Sequence, residues 1–527
     1  MPDRPVAALA QGVITVSGDS VDRLRLAQLE GRAPLAGLLL RSTSSLMSPR
    51  VAGMARRAFT IVTPQTTFIV NSALPFGQND GALWAGKGYN ARVLAGFTAT
   101  LGPVRVVAIP EFAYSSNHEL SVDPLDLRFA KPLPPSRSSF SSPFNVFPYS
   151  IDMPYRFGDQ PIRRIYPGQS SLTISVGAIE LGSATENNWW GPALRNPIVM
   201  SDNAAGFPHG FLRTARPLTS RIGQIEGRWI VGGLRESDYF NSDVADDVRS
   251  LSAIGLTWKR SPASGLTIGL SRSVFAPVDG YGGVAANSFD FITNTGRPNA
   301  LPATDSTPTP PGPDQILSLF AQWAIPRYGL ESYVEWARAE LPMSPRDLVE
   351  QPNHSRGYTG GLQWVRQIGS SDSRVRLQAE ITNVEQSTTY RFRPNGSFYT
   401  SRAVIQGYTN EGQLIGAGLG PGSSGQWIAG DYIHRNLQLG VNLGRVRFNN
   451  DAFFEQREPN RCFHDVTVYP GVRASYSNRF FRLGFDFAST SRYNTFFQRI
   501  RGCEAGPGAL GDRSSRHLAF TLTTFGF

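Results

Sequence analysis

The segment RVRLQAEIT, residues 374–382, alternates between polar and apolar side chains without a break. Val375, Leu377, Ala379 and Ile381 fall on one face, and the charged and amide side chains fall on the other. A period of two residues indicates a β-strand with one apolar and one polar face. Strands of this kind with charges on the polar face are typical of a transmembrane barrel, whose apolar face contacts lipid and whose polar face lines an aqueous lumen.

The same alternation recurs along the chain, at 224–231, 437–443 and 482–487 among other places. Short and long connections alternate between these segments, as periplasmic turns and extracellular loops do in outer-membrane barrels. The predicted short turns are Leu101–Pro103, Thr219–Gly223, Ser261–Gly265, Arg327–Gly329, Ser370–Ser373, Leu443–Arg445 and Tyr476–Arg479. The predicted long connections are 116–142, 181–208, 237–249, 277–313, 341–356, 389–429 and 494–513.

Counting strands under this alternation predicts an all-β fold, an 18-stranded antiparallel outer-membrane β-barrel. The first strands are predicted at 59–71, 88–100 and 104–115, with one more between 143 and 169 and the remainder after residue 170. An even strand number places both chain termini on the periplasmic side.

Three regions are predicted. Residues 1–16 read as a signal remnant, with Ala8-x-Ala10 as a small-residue cleavage site, or as a disordered start. Residues 17–57 form a small N-terminal periplasmic helical element, with one helix capped by Asp19 or Ser20 and a second over Leu35–Leu40. Residues 58–527 form the barrel with its long extracellular and lumen-filling loops.

The net charge of +10 favours an anionic partner, which could be nucleic acid, lipopolysaccharide or an acidic polysaccharide. An outer-membrane location removes nucleic acid from that set. The sequence carries no nucleophile elbow, Walker loop, zinc-protease motif or zinc-type Cys/His spacing. We therefore expect no enzyme activity, no catalytic residues, no metal and no cofactor. Glycoside hydrolysis by a carboxylate pair, Glu186 and Asp202, remains as an alternative.

The two cysteines, Cys462 and Cys503, fall on the extracellular side of the predicted topology. Because that environment is oxidising, we predict a disulfide between them, and two free thiols are the alternative.

Four motifs resemble, in order, those of the Wzi-type capsule assembly family of outer-membrane proteins. They are NDGALWAGKG (79–88) with PEF (110–112), ENNWWGP (186–192) with SDNA (201–204), QPNHSRGYT (351–359), and GYTNEG (407–412) running into IGAGLGPGS (415–423). The resemblance implies an 18-stranded outer-membrane barrel with a small periplasmic helical bundle. It also implies a surface lectin that holds exported capsular polysaccharide.

Lectin chemistry accounts for the central motif, because sugar rings stack on indoles while their hydroxyls need amides and carboxylates. Tyr408 offers another stacking ring, and arginines in or near the predicted extracellular loops suit uronic acids. The alternative is that both motifs are loops packed inside the barrel, and that the arginines contact lipopolysaccharide or pair with acids of the wall. The candidate ligand-binding residues are Glu186, Asn187, Trp189, Trp190, Arg195, Asn203, Arg356, Arg402 and Tyr408.

The predicted function is that of a non-catalytic lectin in the outer membrane of a Gram-negative-type bacterium, which binds and anchors capsular polysaccharide or exopolysaccharide for capsule assembly. The alternative is a porin-like channel for small anions through an arginine-lined lumen. The expected partners are an acidic surface polysaccharide, outer-membrane lipid and lipopolysaccharide. The terminal Phe527 resembles the signal read by the barrel assembly machinery.

Overall fold

The computed structural model describes residues 14–35, 37–47, 59–120, 144, 151–293, 312–342, 344–369, 372–393, 395–455, 464–497 and 512–525. The α-helices are α1 Asp19–Leu29, α2 Thr43–Leu46, α3 Tyr281–Ala286, α4 Asp290–Thr293, α5 Pro345–Glu350 and α6 Asn450–Glu455. The strands are β1 Leu40–Ser42, β2 Phe59–Asn71, β3 Gly88–Leu101, β4 Val104–Ala108, β5 Glu111–Ser115, β6 Ile162–Tyr166, β7 Ser171–Val176, β8 Ile179–Ala184, β9 Asn188–Trp190, β10 His209–Thr214, β11 Leu218–Ser220, β12 Gly223–Arg235, β13 Val248–Lys259, β14 Leu266–Pro277, β15 Asp314–Ile325, β16 Leu330–Arg338, β17 Arg356–Gln367, β18 Ser373–Asn383, β19 Thr409–Asn410, β20 Gln413–Leu414, β21 Ser424–His434, β22 Leu437–Phe448, β23 Asp465–Ser477, β24 Phe481–Tyr493 and β25 Arg513–Thr524. Within these ranges, no helix is long and apolar enough to cross a membrane.

The long strands form one closed antiparallel barrel, in which β25 pairs with β2 to complete the ring. We call each strand position in the barrel wall a stave. Three staves are interrupted, so that each consists of two short strands: β4 with β5, β6 with β7, and β10 with β11. β4 and β5 both pair with β3, β7 and β6 pair with β4 and β5 respectively, and β10 and β11 both pair with β12. Counting each interrupted stave once gives 18 strands, which confirms the predicted fold class.

The two faces of each stave differ as the alternation predicts. In β18, Leu377 and Ile381 are exposed on the outer surface, whereas Arg376, Gln378 and Glu380 are buried inside the barrel. The same parity holds around the ring, so exposed Leu, Ile, Val and aromatic side chains form an apolar belt on the outside. An outward apolar band is what lipid contact requires of a barrel wall.

Three predicted connections are wrong. The turn expected at Leu443–Arg445 lies earlier, between β21 and β22, where Arg435 has a φ of 50°. The connection predicted at 181–208 begins too early, because β8 continues to Ala184 in register with β7 and β10. In both places the side chains keep alternating through the predicted boundary, so the period alone could not show where the chain reverses. The connection predicted at 389–429 ends too late, because β21 begins at Ser424.

The N-terminal segment, residues 14–47, lies inside the barrel at the end with the short turns. Leu26 and Leu29 of α1 pack against Val365 and Ile433, which lie near the short-turn ends of β17 and β21. The helix is therefore a lumenal plug rather than a separate body below the barrel. Ile14 and Val16 are buried in the same interior, so the predicted signal remnant or disordered start cannot extend to residue 16.

The second predicted helix, Leu35–Leu40, is also wrong. Leu40 begins the strand β1, which pairs with β9 in the register Leu40↔Trp190, and the next helix is α2 at Thr43–Leu46. This pairing is contributed by a segment nearly 150 residues away, so local helical propensity is overridden by a tertiary contact. The N-cap of α1 is Gly18, and the Asp19 carboxylate binds Arg23 and Arg482 instead of capping the helix.

Candidate functional site

The central loop, residues 185–208, folds back into the lumen and buries both tryptophans. Trp189 and Trp190 are each 0 % exposed. Trp190 packs among lumenal side chains of the wall, including Leu251 and Phe275, while Trp189 packs against the N-terminal segment and lies under the Arg41 guanidinium at 4.5 Å. Neither indole has a free face on which a sugar ring could stack. The geometry matches the packing alternative for these two residues.

Glu186 holds the same loop to the barrel wall and to α2. It accepts hydrogen bonds from the backbone N–H of Ser44 at 2.5 Å and from the Ser44 hydroxyl at 2.7 Å. Arg228 Nη2 lies 3.1 Å and Arg213 Nη1 3.7 Å from its carboxylate. Burial by itself raises the pKa of Glu186, but the two guanidinium charges hold it below the ordinary value, so this carboxylate stays ionised. A permanently paired, fully buried carboxylate is suited to structure and unavailable as a general acid.

The polar face of the opening segment, 374–382, anchors both parts of the plug. Arg374 and Arg376 bind Glu30 and Asp22 of the N-terminal segment at 3.0 and 2.8 Å. Glu380 accepts hydrogen bonds from the backbone N–H groups of residues 194–196 of the central loop, at 2.7, 3.1 and 2.9 Å. Charges that the sequence predicts to face an aqueous lumen are thus occupied by the chain's own segments.

A second inward loop, residues 407–423, packs on the central loop. Tyr408 is buried, donates a hydrogen bond to Ser273 at 2.9 Å and stacks with Tyr399. Ser201 donates hydrogen bonds to the carbonyls of residues 415 and 416. The two loops approach so closely that only glycine fits at position 416, because a Cβ there would lie 2.3 Å from the Ile198 carbonyl oxygen. Tyr408 therefore contributes to the floor of the plug and presents no surface to a polymer.

The remaining predicted residues do not form one cluster. Asn187 and Asn203 hydrogen-bond inside the plug, to Ala204 and Gly416 carbonyls respectively, both at 2.8 Å. Arg195 lies over Trp427 inside the lumen, and Arg356 lies on the outer face of the wall. Arg402 is exposed in the long loop that follows β18. Cys462, Cys503 and Phe527, with the predicted disulfide and the assembly signal, lie outside the described residues.

The same long loop contains an exposed aromatic residue that the sequence reasoning missed. Phe392 is 91 % exposed and stands next to exposed Arg391, ten positions before Arg402. An aromatic ring flanked by arginines in a predicted extracellular loop was a readable signal. Stacking and bidentate anion binding, which were assigned to the buried motif, are both available from these side chains.

One group of carboxylates has the spacing to hold a metal ion. Glu236, Asp246 and Asp247, after β12, offer oxygens within 4.8 Å of one another. Burial raises the pKa of Glu236 to about 8, and the Gln406 amide donates to its carboxylate at 2.6 Å. A metal ion would have to compete with the Gln406 amide for this carboxylate, and no second observation points to an ion, so we assign no metal to this group.

Several solved protein structures match this chain over most of its length. Wzi from Escherichia coli, described as an outer-membrane protein involved in group 1 capsule assembly and a carbohydrate-binding β-barrel, has a solved structure that matches with a TM-score of 0.56 at 13% identity, covering 99% of this chain and 97% of that chain. OccK7 (OpdD) of Pseudomonas aeruginosa matches with a TM-score of 0.39 at 10% identity, covering 88% and 97%. A BenF-like porin of Pseudomonas fluorescens matches at 0.38 and 9%, covering 88% and 98%. No curated protein matches the sequence.

The sequence profile described as capsule assembly protein Wzi matches residues 85–468, a span that contains the last three motifs, the end of the first one and most of the barrel. The chain belongs to the Wzi capsule assembly protein family.

Proposed function

We propose that this protein is a non-catalytic lectin of the outer membrane, which binds exported acidic polysaccharide and anchors it at the cell surface. The observation that carries the proposal is the filled lumen. The N-terminal segment fills the short-turn end, and the central loop with residues 407–423 fills the level above it. The packing of the described residues leaves the long-loop surface as the place to hold a polymer, and it disfavours passage of small anions through the lumen.

The environment of the two carboxylates of the central loop supports binding over catalysis. Glu186 is enclosed by two arginines and a serine, so it cannot pair with Asp202 as a hydrolytic couple facing a substrate. Asp202 instead accepts a hydrogen bond from Ser17 at 2.5 Å inside the plug. A glycosidase needs both carboxyl groups open to one glycosidic bond.

The polymer-binding surface we propose is the exposed part of the loop after β18, with Arg391, Phe392 and Arg402 as contacts. Family membership supports a role in capsule assembly, and the carbohydrate-binding description of the Escherichia coli relative supports a sugar ligand. The guanidinium groups suit carboxylates of uronic acids, and the ring suits a sugar face. We propose no metal, cofactor or nucleic acid in this function.

The test is polysaccharide retention on cells that lack the gene and carry a plasmid copy. We expect the variant Arg391→Gln/Phe392→Ser/Arg402→Gln to release polymer into the medium, while wild type retains it. The matched control, Arg479→Gln/Phe480→Ser, changes an exposed arginine–phenylalanine pair at a short turn and should retain polymer. Equal retention by the loop variant and wild type would reject this surface, and unchanged retention on gene deletion would reject the lectin function.

A further inference from the structure

The outward-facing residues of β16 follow a definite order from the middle of the belt toward the long-loop end. Exposed Val334 is followed at every second position by Trp336 and then by Arg338. Barrels place aliphatic side chains against lipid tails and aromatic rings at the interface. The residue after the aromatic ring therefore lies at the level of lipid headgroups.

The neighbouring strand β17 repeats this order in register. Arg356 pairs directly with Arg338, and Tyr358 pairs directly with Trp336. The Arg356 guanidinium lies over the Tyr358 ring at 5.3 Å, so both side chains occupy the outer face. Two arginines thus stand side by side immediately above a pair of aromatic rings. Like charges directly opposite each other on one face of a sheet repel.

Helices α3 and α4 mark the same boundary on another part of the wall. They lie against the outer face of β12 to β14, where Trp229 stacks on Phe289 at 5.2 Å and donates its indole N–H to the Ser288 carbonyl at 3.0 Å. Phe289 and Ile292 remain exposed on the outside, continuous with the apolar belt. A segment of this kind is expected at the membrane interface.

Neither arginine of the pair has a carboxylate partner within the described ranges. Arg338 is 0 % exposed, and none of its three guanidinium nitrogens has a hydrogen-bond acceptor. Arg356, which is half-buried, donates to the Asn383 side-chain oxygen at 2.8 Å and to the Glu385 carbonyl at 2.6 Å, both of them neutral. A buried guanidinium without an acceptor is costly, and a second cation beside it adds to the cost.

The nearest acids are already engaged. Asp347 binds Arg393 at 2.7 Å, and Glu340 lies 2.9 Å from His354 and 3.8 Å from Arg393. Asp347 and Glu340 are close enough to favour the charge of Arg338, but within the described ranges no carboxylate contacts either guanidinium of the pair directly.

We propose that Arg338 and Arg356 form a binding site for the phosphate group of an outer-leaflet lipid. Strand parity places both arginines on the outer face, directly above an aromatic pair, where Arg356 is half-exposed and Arg338 is covered by neighbouring residues. Arginine forks match phosphate oxygens in bidentate geometry, and one phosphate between the two side chains would satisfy both. The lipid headgroup would enter the site past Arg356, because Arg356 is half-exposed. This site is independent of which polymer the loops bind.

The test uses the folded full-length protein in a neutral detergent, with bis-phosphorylated lipid A as the probe and native mass spectrometry as the readout. We expect wild type to retain the probe and the variant Arg338→Gln/Arg356→Gln to bind it at least about tenfold more weakly, because two charge-assisted contacts are lost. Dephosphorylated lipid A should bind wild type and variant equally. The control Arg260→Gln/Arg327→Gln, at exposed short-turn positions, should bind the phosphorylated probe as wild type does.

Equal binding of the phosphorylated probe by wild type and the arginine-pair variant would overturn the proposal, as would equal wild-type binding of the two forms of lipid A. Polygalacturonate, an acidic polysaccharide, provides a second probe. If the Arg338→Gln/Arg356→Gln variant lost polygalacturonate binding but kept lipid A binding, the proposal would also be overturned, because the two arginines would then bind the polymer. A purely structural role for the pair predicts a less stable variant in lipid-free detergent. The lipid site predicts a variant at least as stable there, and Arg356→Gln alone provides the binding test if the double variant does not fold.

Discussion

Glu186 and Arg228 form an ion pair of 3.1 Å in which both side chains are buried, and this pair joins the central loop to the barrel wall. Arg213 lies beside them, 3.7 Å from the same carboxylate oxygen. The Glu186 carboxylate thus pairs with Arg228, shares Arg213 with Glu180, and accepts a hydrogen bond from the Ser44 backbone N–H of α2. The central motif is therefore a structural joint between three parts of the chain.

Replacing Glu186 with Gln should destabilise the protein strongly. The change removes the ion-pair partner of Arg228 at 3.1 Å, whereas Arg213 keeps Glu180 at 2.8 Å. Breaking a buried pair in this way costs about 3 to 5 kcal/mol. Guanidinium chloride unfolding of the detergent-solubilised protein, followed by tryptophan fluorescence, measures the difference. The control Glu350→Gln removes an exposed partner of Arg346 and should cost about 0.5 kcal/mol or less. If Glu186→Gln left the free energy of unfolding almost unchanged, the ion pair with Arg228 would not stabilise the fold.

Changing the tryptophans should affect folding and leave polymer retention intact. Trp190→Ala removes a fully buried ring from the lumenal core and should cost about 3 to 5 kcal/mol of stability. Trp189→Phe and Trp190→Phe keep most of the packing, so they should fold and retain polysaccharide on cells as wild type does. Loss of polymer by a folded Trp→Phe variant, shown by normal heat-modifiable gel mobility, would instead assign that indole to ligand binding.

The barrel should not conduct ions steadily. In planar bilayers, wild type should show no large steady conductance because the two plug levels occupy the lumen. The variant Asp22→Asn/Glu30→Gln removes the charges that hold the N-terminal segment to Arg376 and Arg374, so we expect brief openings to become more frequent. Glu350→Gln, on the exposed helix α5, should remain as closed as wild type. A large steady wild-type conductance would favour the channel and contradict the occluded lectin.

The contribution of Asp202 to stability should fall as pH rises from about 4 to about 7. Burial raises the pKa of Asp202 from its ordinary 3.8 to about 7, although Arg92 opposes the shift. In that window the folded protein binds a proton at Asp202 that the unfolded chain has released, so raising the pH favours unfolding. Asp202→Asn removes this contribution, and we expect its thermal unfolding midpoint to depend less on pH between 5 and 8.

Wild type and Asp202→Asn should therefore differ more at pH 8 than at pH 5, with the Asn variant relatively more stable at the higher pH. Identical pH profiles would show that Asp202 is not desolvated in the folded state. The Ser17 hydroxyl, which donates to Asp202, remains able to donate to the Asn oxygen, so the contact itself is conserved in the comparison.

The sequence by itself determined the barrel, because the alternation of side chains has the same period as the strand. The strands 59–71 and 88–101 agree with the prediction to within one residue, and the four motifs indicated the family that the profile confirms. The turn at Arg435 was misplaced because alternation continues on both sides of it. The sequence does not show whether Trp189 and Trp190 stack on a sugar or pack inside the barrel, because side-chain chemistry does not specify whether a loop folds outward or inward.

Only the tertiary structure decided what the lumenal charges do. Arg376 and Glu380 read as the lining of an aqueous lumen, yet they bind Asp22 and the backbone of residues 194–196. These contacts join segments more than 180 residues apart in sequence, and no local pattern encodes them. Periodicity fixes which face a side chain is on, and long-range packing fixes whether that face meets water, lipid or another part of the chain.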